Sequence, residues 1–506
     1  MSFFKEISNA FSKIETKYDL VAFCYYYLEK SVGNQIIFLG EYIEINNSAE
    51  MINPNLMELN SMALKIKKIL KKDPFKPFLL NNKSNQILDL IEDTEKNLKD
   101  FGDVSLNNST IPFFILQGLE LYFQDCAYET FENSPLNSYL NELYLIYVNG
   151  NISIMDDIII DKKYSEKINR NEIRNYFKHI IILKNSEIPE NYGKPKLITL
   201  HKEEKSFENI VTSKKIKIAL IPVIKEKWFE FSNKMGASFV IEYDEQKMNS
   251  IKNKVIALLD WAIECKVNII VFPEYVCNED IQSTICEYLS NMSLKEPKKL
   301  TELLFVIAGS GWTKDSNNVS CLYSYDGILL GKVYKYSAYD NDKNGERYIE
   351  RLQNPGKEIT LVKIPRIGVF QTEICRNVSE NEFSLKLSKV FNSQFLLITA
   401  WSSSINIGFK KQIDSIISSN HKTCSAMCNC CAAIWDENGF REEIGIIAAP
   451  QKNKSLIVAN YEYIKRNKQE CDMSCEKGCI FEICYDFNGK GKRDVMITSN
   501  FRKKLK

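Results

Sequence analysis

From Ile216 onward the sequence predicts a layered α/β domain, preceded by a helix-rich α+β region over residues 1–210. Three observations predict it. Short apolar runs of strand length alternate with amphipathic helical stretches, which is the rhythm of layered α/β folds. Several of those runs end in chemically capable residues, Glu274, Lys335 and Cys375, where such sheets present functional groups. A polar stretch, Lys202 to Lys215, separates the two textures and reads as a linker, giving domains 1–210 and 211–506. A chain of 506 residues can build two cores.

In the first region, Leu56, Leu59, Ala63, Ile66 and Leu70 recur at helical spacing, with Lys65, Lys67, Lys68, Lys71 and Lys72 around them. The lysines read as the solvated face of an amphipathic helix. Asp73-Pro74 and Lys76-Pro77 end it, because the residue before proline disfavours helix. Further helices are predicted through Ile87–Ile91 and Ile115–Phe123. Leu143–Val148 leads into Asn149-Gly150, a hairpin signal because both turn positions need positive φ. This region carries no motif for chemistry.

The second region opens with a strand over Ile216–Ile221. Met248, Ile251, Val255, Leu258 and Ala262 mark a helix, and Val267–Phe272 a buried strand ending in Pro273-Glu274-Tyr275. Leu304–Ala308 is a strand before Gly309-Ser310-Gly311. Cys321–Tyr325 and Gly331–Tyr336 flank the turn at Asp326-Gly327. Ile367–Phe370 leads to Cys375, after which Phe383, Leu387 and Phe391 fall at helical spacing. Phe395–Thr399 forms a strand ending at Trp401.

Charge and composition exclude several functions. Lysine plus arginine number 66 and aspartate plus glutamate 65, so no global field favours nucleic acid or an anionic membrane. Apolar residues amount to 44 %, ordinary for a globular protein, and no apolar run reaches the length of a bilayer span. The N-terminus lacks the apolar core of a signal peptide, which predicts a cytoplasmic protein. Its 15 cysteines, an odd number, then read as reduced thiols rather than a disulfide framework. Three separated histidines, His179, His201 and His421, give a histidine metal site or a serine–histidine triad little to build on.

The strand-turn-helix reading around Gln371-Thr372-Glu373-Ile374-Cys375-Arg376-Asn377 lifts a cysteine out of a sheet toward a cleft. The helix N-terminus behind it favours thiolate over thiol. A thiolate can attack an amide or nitrile carbon, a carboxylate can carry the proton to the leaving nitrogen, and an ammonium can stabilise the oxyanion.

Phe272-Pro273-Glu274, then Asp326-Gly327 with Gly331 and Tyr334-Lys335, then Glu373-Ile374-Cys375, occur in the order that resembles the nitrilase superfamily of carbon–nitrogen hydrolases. The resemblance runs from Ile216 to about Phe487 and includes Ile444–Pro450 as a late strand. It implies an αββα sandwich, hydrolysis of a small-molecule amide or nitrile, no cofactor and no metal, and a homodimer or higher homo-oligomer. It also implies roles: Cys375 as nucleophile, Glu274 as general base and acid, Lys335 as oxyanion stabiliser. A second glutamate precedes a proline-glycine turn in the family; ahead of Pro355-Gly356, Glu350 is the nearer match and Glu346 the alternative. Tyr275, Arg376 and Trp401 flank these positions as candidate substrate-binding residues.

Departures bear on the substrate. Arg376-Asn377 stands where the family has an aromatic or acidic residue and then an acid, and Tyr336-Ser337 where histidine and leucine are common. Arg376 suits either a carboxylate-bearing substrate or a structural salt bridge. Cys424, Cys428, Cys430, Cys431, Cys471, Cys475 and Cys479 include three-residue gaps (424/428, 471/475 and 475/479) that do not fit the two-residue knuckles of common zinc sites, and they read as free thiols, with metal binding the alternative. Two other readings stand beside the hydrolase: a catalytically silent binding protein on the same fold, and a regulated effector in bacterial antiviral defence.

Overall fold

The protein is described here by a computed structural model over residues 3–10, 14, 16–32, 54–71, 84–98, 104–123, 130–131, 144–148, 177, 180–190, 192–200, 202, 204–223, 227–235, 238–315, 317–343, 346–352, 356, 358–379, 382–403, 405, 408–420, 423–436, 439–440, 442–453, 456–465, 479–486 and 494–498. It divides into two compact units, one of Met1–Ile152 with Ile160–Ile188 and one of Ser153–Ile159 with Pro189–Lys506.

The first unit contains helices Phe3–Ala10, Lys17–Val32, Pro54–Lys71, Ser84–Asn97 and Val104–Phe123. An antiparallel sheet joins β1 (Thr130–Phe131), β2 (Tyr144–Val148) and β3 (Ile180–Lys184). On Pro54–Lys71 the predicted stripe of Leu59, Ala63, Ile66 and Leu70 is buried, while Lys65, Lys68 and Lys71 are exposed. The expected prolines at 74 and 77 and the hairpin at Asn149-Gly150 lie outside the described residues.

The second unit is built on two seven-stranded sheets. Its strands are β4 (Lys194–Thr199), β5 (Lys215–Leu220), β6 (Phe229–Met235), β7 (Ser238–Tyr243), β8 (Ile269–Val271), β9 (Phe305–Trp312), β10 (Asn318–Ser324) and β11 (Leu329–Tyr334). They continue with β12 (Asp340–Lys343), β13 (Glu346–Glu350), β14 (Glu358–Ile364), β15 (Gly368–Ile374), β16 (Phe395–Ala400) and β17 (Cys424–Asn429). The last are β18 (Trp435–Asp436), β19 (Gly439–Phe440), β20 (Glu443–Asn453), β21 (Leu456–Lys465), β22 (Phe481–Asp486) and β23 (Asp494–Thr498). One sheet has the order β11-β10-β9-β8-β5-β22-β23 and the other β21-β20-β17-β16-β15-β14-β4.

The two sheets bury one face against each other. Ile218, Leu220, Ile269, Phe305 and Ile307 from the first meet Val362, Phe370, Phe395 and Leu397 from the second in a single core. Phe305 packs edge-on to Phe370 at 5.5 Å, and the Tyr485 hydroxyl donates across to the Ser425 carbonyl at 2.6 Å. Because strand side chains alternate, Ala219, Ile270, Phe272, Val306 and Ala308 point the other way. There they pack with Val255, Leu258, Leu259, Ile281 and Ile285 of helices Glu245–Glu264 and Glu279–Lys295. Helix Gly408–Asn420 brings Ile413, Ile416 and Ile417 into the core on the side of the second sheet. The layering is αββα, as the α/β rhythm and the resemblance predict.

Two features differ from the sequence reading. The stretch 202–215 is structured: helix Glu204–Ser213 buries Phe207 and Ile210, and Lys202 Nζ donates to the carbonyls of Leu300, Thr301 and Leu303 at 2.9, 2.7 and 2.6 Å. Ahead of it, β4 pairs in parallel with β14 from Lys194↔Glu358 to Thr199↔Lys363. The division therefore falls at Ile188/Pro189, before residue 210. A short helix with two buried apolar residues is too polar overall to be told from a linker by composition. The second feature is an additional sheet, β12-β13-β7-β6, inserted between β5 and β14 of the chain.

Candidate active site

Glu274, Lys335, Cys375 and Trp401 each follow the end of a strand: β8, β11, β15 and β16 respectively. Glu274 sits on a turn held against β9, where Ser310 N donates to the Pro273 carbonyl at 3.1 Å and Cys277 N to that of Ser310 at 3.3 Å. Gly309 allows this approach. Its φ is +68°, and an added Cβ would lie 2.5 Å from the Pro273 oxygen. On the opposite side, Gly331 in β11 lies beside Thr360 of β14, where a Cβ would meet Oγ1 at 2.3 Å. The Thr360 hydroxyl donates to the Lys332 carbonyl at 3.0 Å, tying the lysine-bearing strand to the other sheet.

Glu274, Lys335 and Glu350 form one buried ionic cluster, exposed by 0, 3 and 1 %. Lys335 Nζ lies 2.7 Å from Glu274 Oε1 and 2.6 Å from Glu350 Oε2. It also donates to the Tyr275 hydroxyl at 3.1 Å, and that hydroxyl donates to Glu350 Oε1 at 2.7 Å. Lys335 N donates to the Asn318 carbonyl at 2.9 Å, which fixes the strand end. Lys332, three residues before Lys335 and so on the opposite face of the strand, is exposed. Burial opposes the lysine's charge, but Glu274 and Glu350 outweigh it and hold its pKa above the usual range. Burial raises the Glu274 pKa; Lys335 pulls it down and Glu350 pushes it further up.

Cys375 has φ of 41°, a left-handed conformation that costs a non-glycine residue about 1–3 kcal/mol and recurs at functional turns. Its amide donates to the Thr399 carbonyl at 2.8 Å, and Sγ lies 3.8 Å from the Trp401 carbonyl. Glu274 is close enough to the thiol to act on its ionisation. Burial pushes the thiol pKa up, Glu274 adds to this, and Lys335 only partly opposes it. These influences together favour the thiol over the thiolate. The expected bias toward thiolate has little helix behind it, because the helix after Cys375 is a single turn, Arg376–Ser379, too short for a strong dipole. The helix with Phe383 and Leu387 starts separately at Glu382.

Of the two candidates for the second glutamate, Glu350, at the end of β13, is in the cluster; the Glu346 side chain lies outside the described residues. Tyr275 and Trp401 are beside the reactive groups, the Trp401 amide donating to Glu274 Oε2 at 2.9 Å. Arg376 Nη1 donates to the Asp340 carbonyl at 2.7 Å, and its guanidinium lies 5.7 Å from the Tyr339 ring.

Sequence reasoning missed two amides. Asn318 Nδ2 donates to Glu274 Oε1 at 2.8 Å and Glu350 Oε1 at 3.2 Å. Asn377 Oδ1 accepts from the amides of Tyr336 and Ser337 at 2.8 and 3.0 Å, and its Nδ2 donates to the Tyr334 carbonyl at 2.9 Å. It thereby clamps the segment bearing Lys335 to the turn bearing Cys375. Asn377 was visible as a departure from the family pattern; Asn318, at the start of a strand, carried no local signal.

Of the cysteine-rich tail, Cys424, Cys428, Cys430, Cys431 and Cys479 are fully buried, with Cys431 and Cys479 Sγ atoms 3.6 Å apart. Cys471 and Cys475 lie outside the described residues. Among the described residues, no group of three or more His, Cys, Asp or Glu is placed to hold a metal, and no helix is long and apolar enough to cross a membrane.

Comparison with family models and with curated proteins finds no match. Solved structures similar to the chain include Nit3 of Saccharomyces cerevisiae, a member of branch 10 of the nitrilase superfamily: 15 % identity, 50 % of this chain and 90 % of that one, TM-score 0.32. An amidase from Nesterenkonia sp. is 10 % identical over 51 % of this chain and 95 % of that one, with TM-score 0.30. A glutamine-dependent NAD+ synthetase from Acinetobacter baumannii is 16 % identical over 54 % of this chain and 46 % of that one, with TM-score 0.31. These matches each cover about half of the chain.

Proposed function

We propose that the second unit hydrolyses a carbon–nitrogen bond of a small amide or nitrile through a Cys375 thioester. The observation that carries this reading is the convergence of a thiol, a carboxylate and an ammonium at three strand ends, with the carboxylate hydrogen-bonded to the ammonium and acting on the ionisation of the thiol. Glu274 takes the thiol proton as sulfur attacks, so a stable thiolate is not required. The proton passes to the departing nitrogen, and Glu274 then activates water against the thioester. Lys335, fixed between two carboxylates, offers its charge to the oxyanion without reorganising. Glu350 and Tyr275 hold that ammonium in place.

The test is an amide and nitrile panel read by ammonia release together with intact mass. Turnover with a transient acyl adduct on Cys375 is expected. Undiminished turnover by Cys375→Ala on a verified substrate would overturn the reading.

A further inference from the structure

The additional sheet is attached to the reactive cluster rather than placed at random on the surface. β13 ends at Glu350 and pairs in parallel with β7, Ile349 opposite Ser238 and Glu350 opposite Phe239. Arg351 N then donates to the Phe239 carbonyl at 3.1 Å. The β6–β7 hairpin is thus bonded to the strand that carries the second glutamate.

Its side chains are aromatic on one face. Phe229 and Phe231 alternate along β6 and lie opposite Tyr243 and Ile241 of β7. Phe229 stands 4.8 Å from the Trp401 ring and 5.8 Å from Tyr275. Phe231 stands 6.3 Å from Trp401 and 6.0 Å from Tyr275, in edge-to-face geometry with both. Trp401 provides the carbonyl that faces Cys375 Sγ, and Tyr275 the hydroxyl between Lys335 and Glu350. Phe229 is buried, whereas Phe231 is 40 % exposed. The aromatic series therefore runs from residues touching the reactive groups out to solvent, where the partly exposed Phe231 ring also meets Phe239 edge-on at 5.2 Å and has Lys227 Nζ over it at 5.2 Å.

We infer that this hairpin is a specificity device and that the group carried on the attacked carbon is aromatic. Rings set edge-on at 5–6 Å accept a further ring in the same geometry better than an aliphatic chain. The inference rests on Cys375 being the nucleophile, and it adds the substrate class.

The test compares alkylation of Cys375 in the full chain by phenyl vinyl sulfone and methyl vinyl sulfone. Peptide mass gives the site, and each rate is divided by that of glutathione with the same reagent. A normalised preference for phenyl of roughly tenfold is expected, the scale of a filled apolar subsite. Phe231→Ala should bring the ratio close to one. Phe231→Leu, which keeps bulk at a half-exposed position, should also lower it, separating ring geometry from packing. A normalised ratio near one in the parent protein, or a ratio unchanged in both variants, would overturn the inference while leaving the nucleophile intact. No modification of Cys375 by either reagent would sink both.

Discussion

Asn318 Nδ2 lies 2.8 Å from Glu274 Oε1, and the same nitrogen reaches Glu350 Oε1 at 3.2 Å. One neutral amide therefore separates two like charges that share a lysine. A donor to the ionised form favours it, so Asn318 works against the burial that raises the Glu274 pKa.

Asn318→Ala should lower kcat/KM and move its acid limb to higher pH. The sign follows from the lost donor: Glu274 then holds its proton more tightly and acts as base only at higher pH. A loss of amplitude with an unmoved limb would mean that Asn318 is merely structural. The parent's acid limb should itself lie above the ordinary carboxylate value of about 4.3, because burial raises Glu274.

Lys335→Met should cost about a hundredfold or more in kcat, the scale of one lost oxyanion donor. It also leaves Glu274 and Glu350 facing each other without the cation, so thermal unfolding should fall by an amount equivalent to about 3–5 kcal/mol. Lys332→Met, at an exposed position, should stay within about 0.5 kcal/mol of the parent and retain turnover. Because Lys335 is raised, its charge persists well into the alkaline range, and the Lys335→Met defect should be constant across neutral pH.

Alkylation of Cys375 by iodoacetamide should depend on its carboxylate. Burial and Glu274 both raise the thiol pKa, so loss of the Glu274 charge alone would speed labelling; because Glu274 also takes the thiol proton, Glu274→Gln should instead slow labelling at neutral pH by about tenfold or more. Equal rates in parent and variant would show that Glu274 does not take the proton. Cys375→Ala should abolish turnover and leave the fold intact, since one small side chain is lost.

Lys202 tests the revised unit boundary. Burial lowers its pKa to about 8, with Glu302 and Asp326 opposing. Folding must then pay for the charge below pH 8, and this penalty is relieved as pH rises from about 8 to its ordinary value. Lys202→Met removes three bonds to carbonyls and should destabilise the unit by roughly 2 kcal/mol. Limited proteolysis of the parent should spare 204–213, and cutting there should increase in the variant. Early cleavage of the parent within that helix would restore the linker reading.

The sequence by itself determined the strands and helices whose apolar pattern is unambiguous. β5, β8, β16 and the helix Glu245–Glu264 fall where the period of two or 3.6 placed them. It also singled out Glu274, Lys335 and Cys375 as candidates, because each stands at a strand end within motifs whose order resembles a known family. The protonation state of Cys375 was not local. It depends on burial and on Glu274, which is 101 positions away in the chain, and these outweigh the single helical turn that sequence could see. Asn318, Glu350 and Phe231 likewise acquire their partners only in the folded sheets, Asn318 reaching Glu274 and Glu350 and β13 pairing beside β7. Helix Glu204–Ser213 shows the same limit in the fold: Phe207 and Ile210 become core only against surfaces that other segments supply. Periodicity records which side of an element is apolar; what meets that side, and therefore which charges lose their water, is decided by tertiary packing.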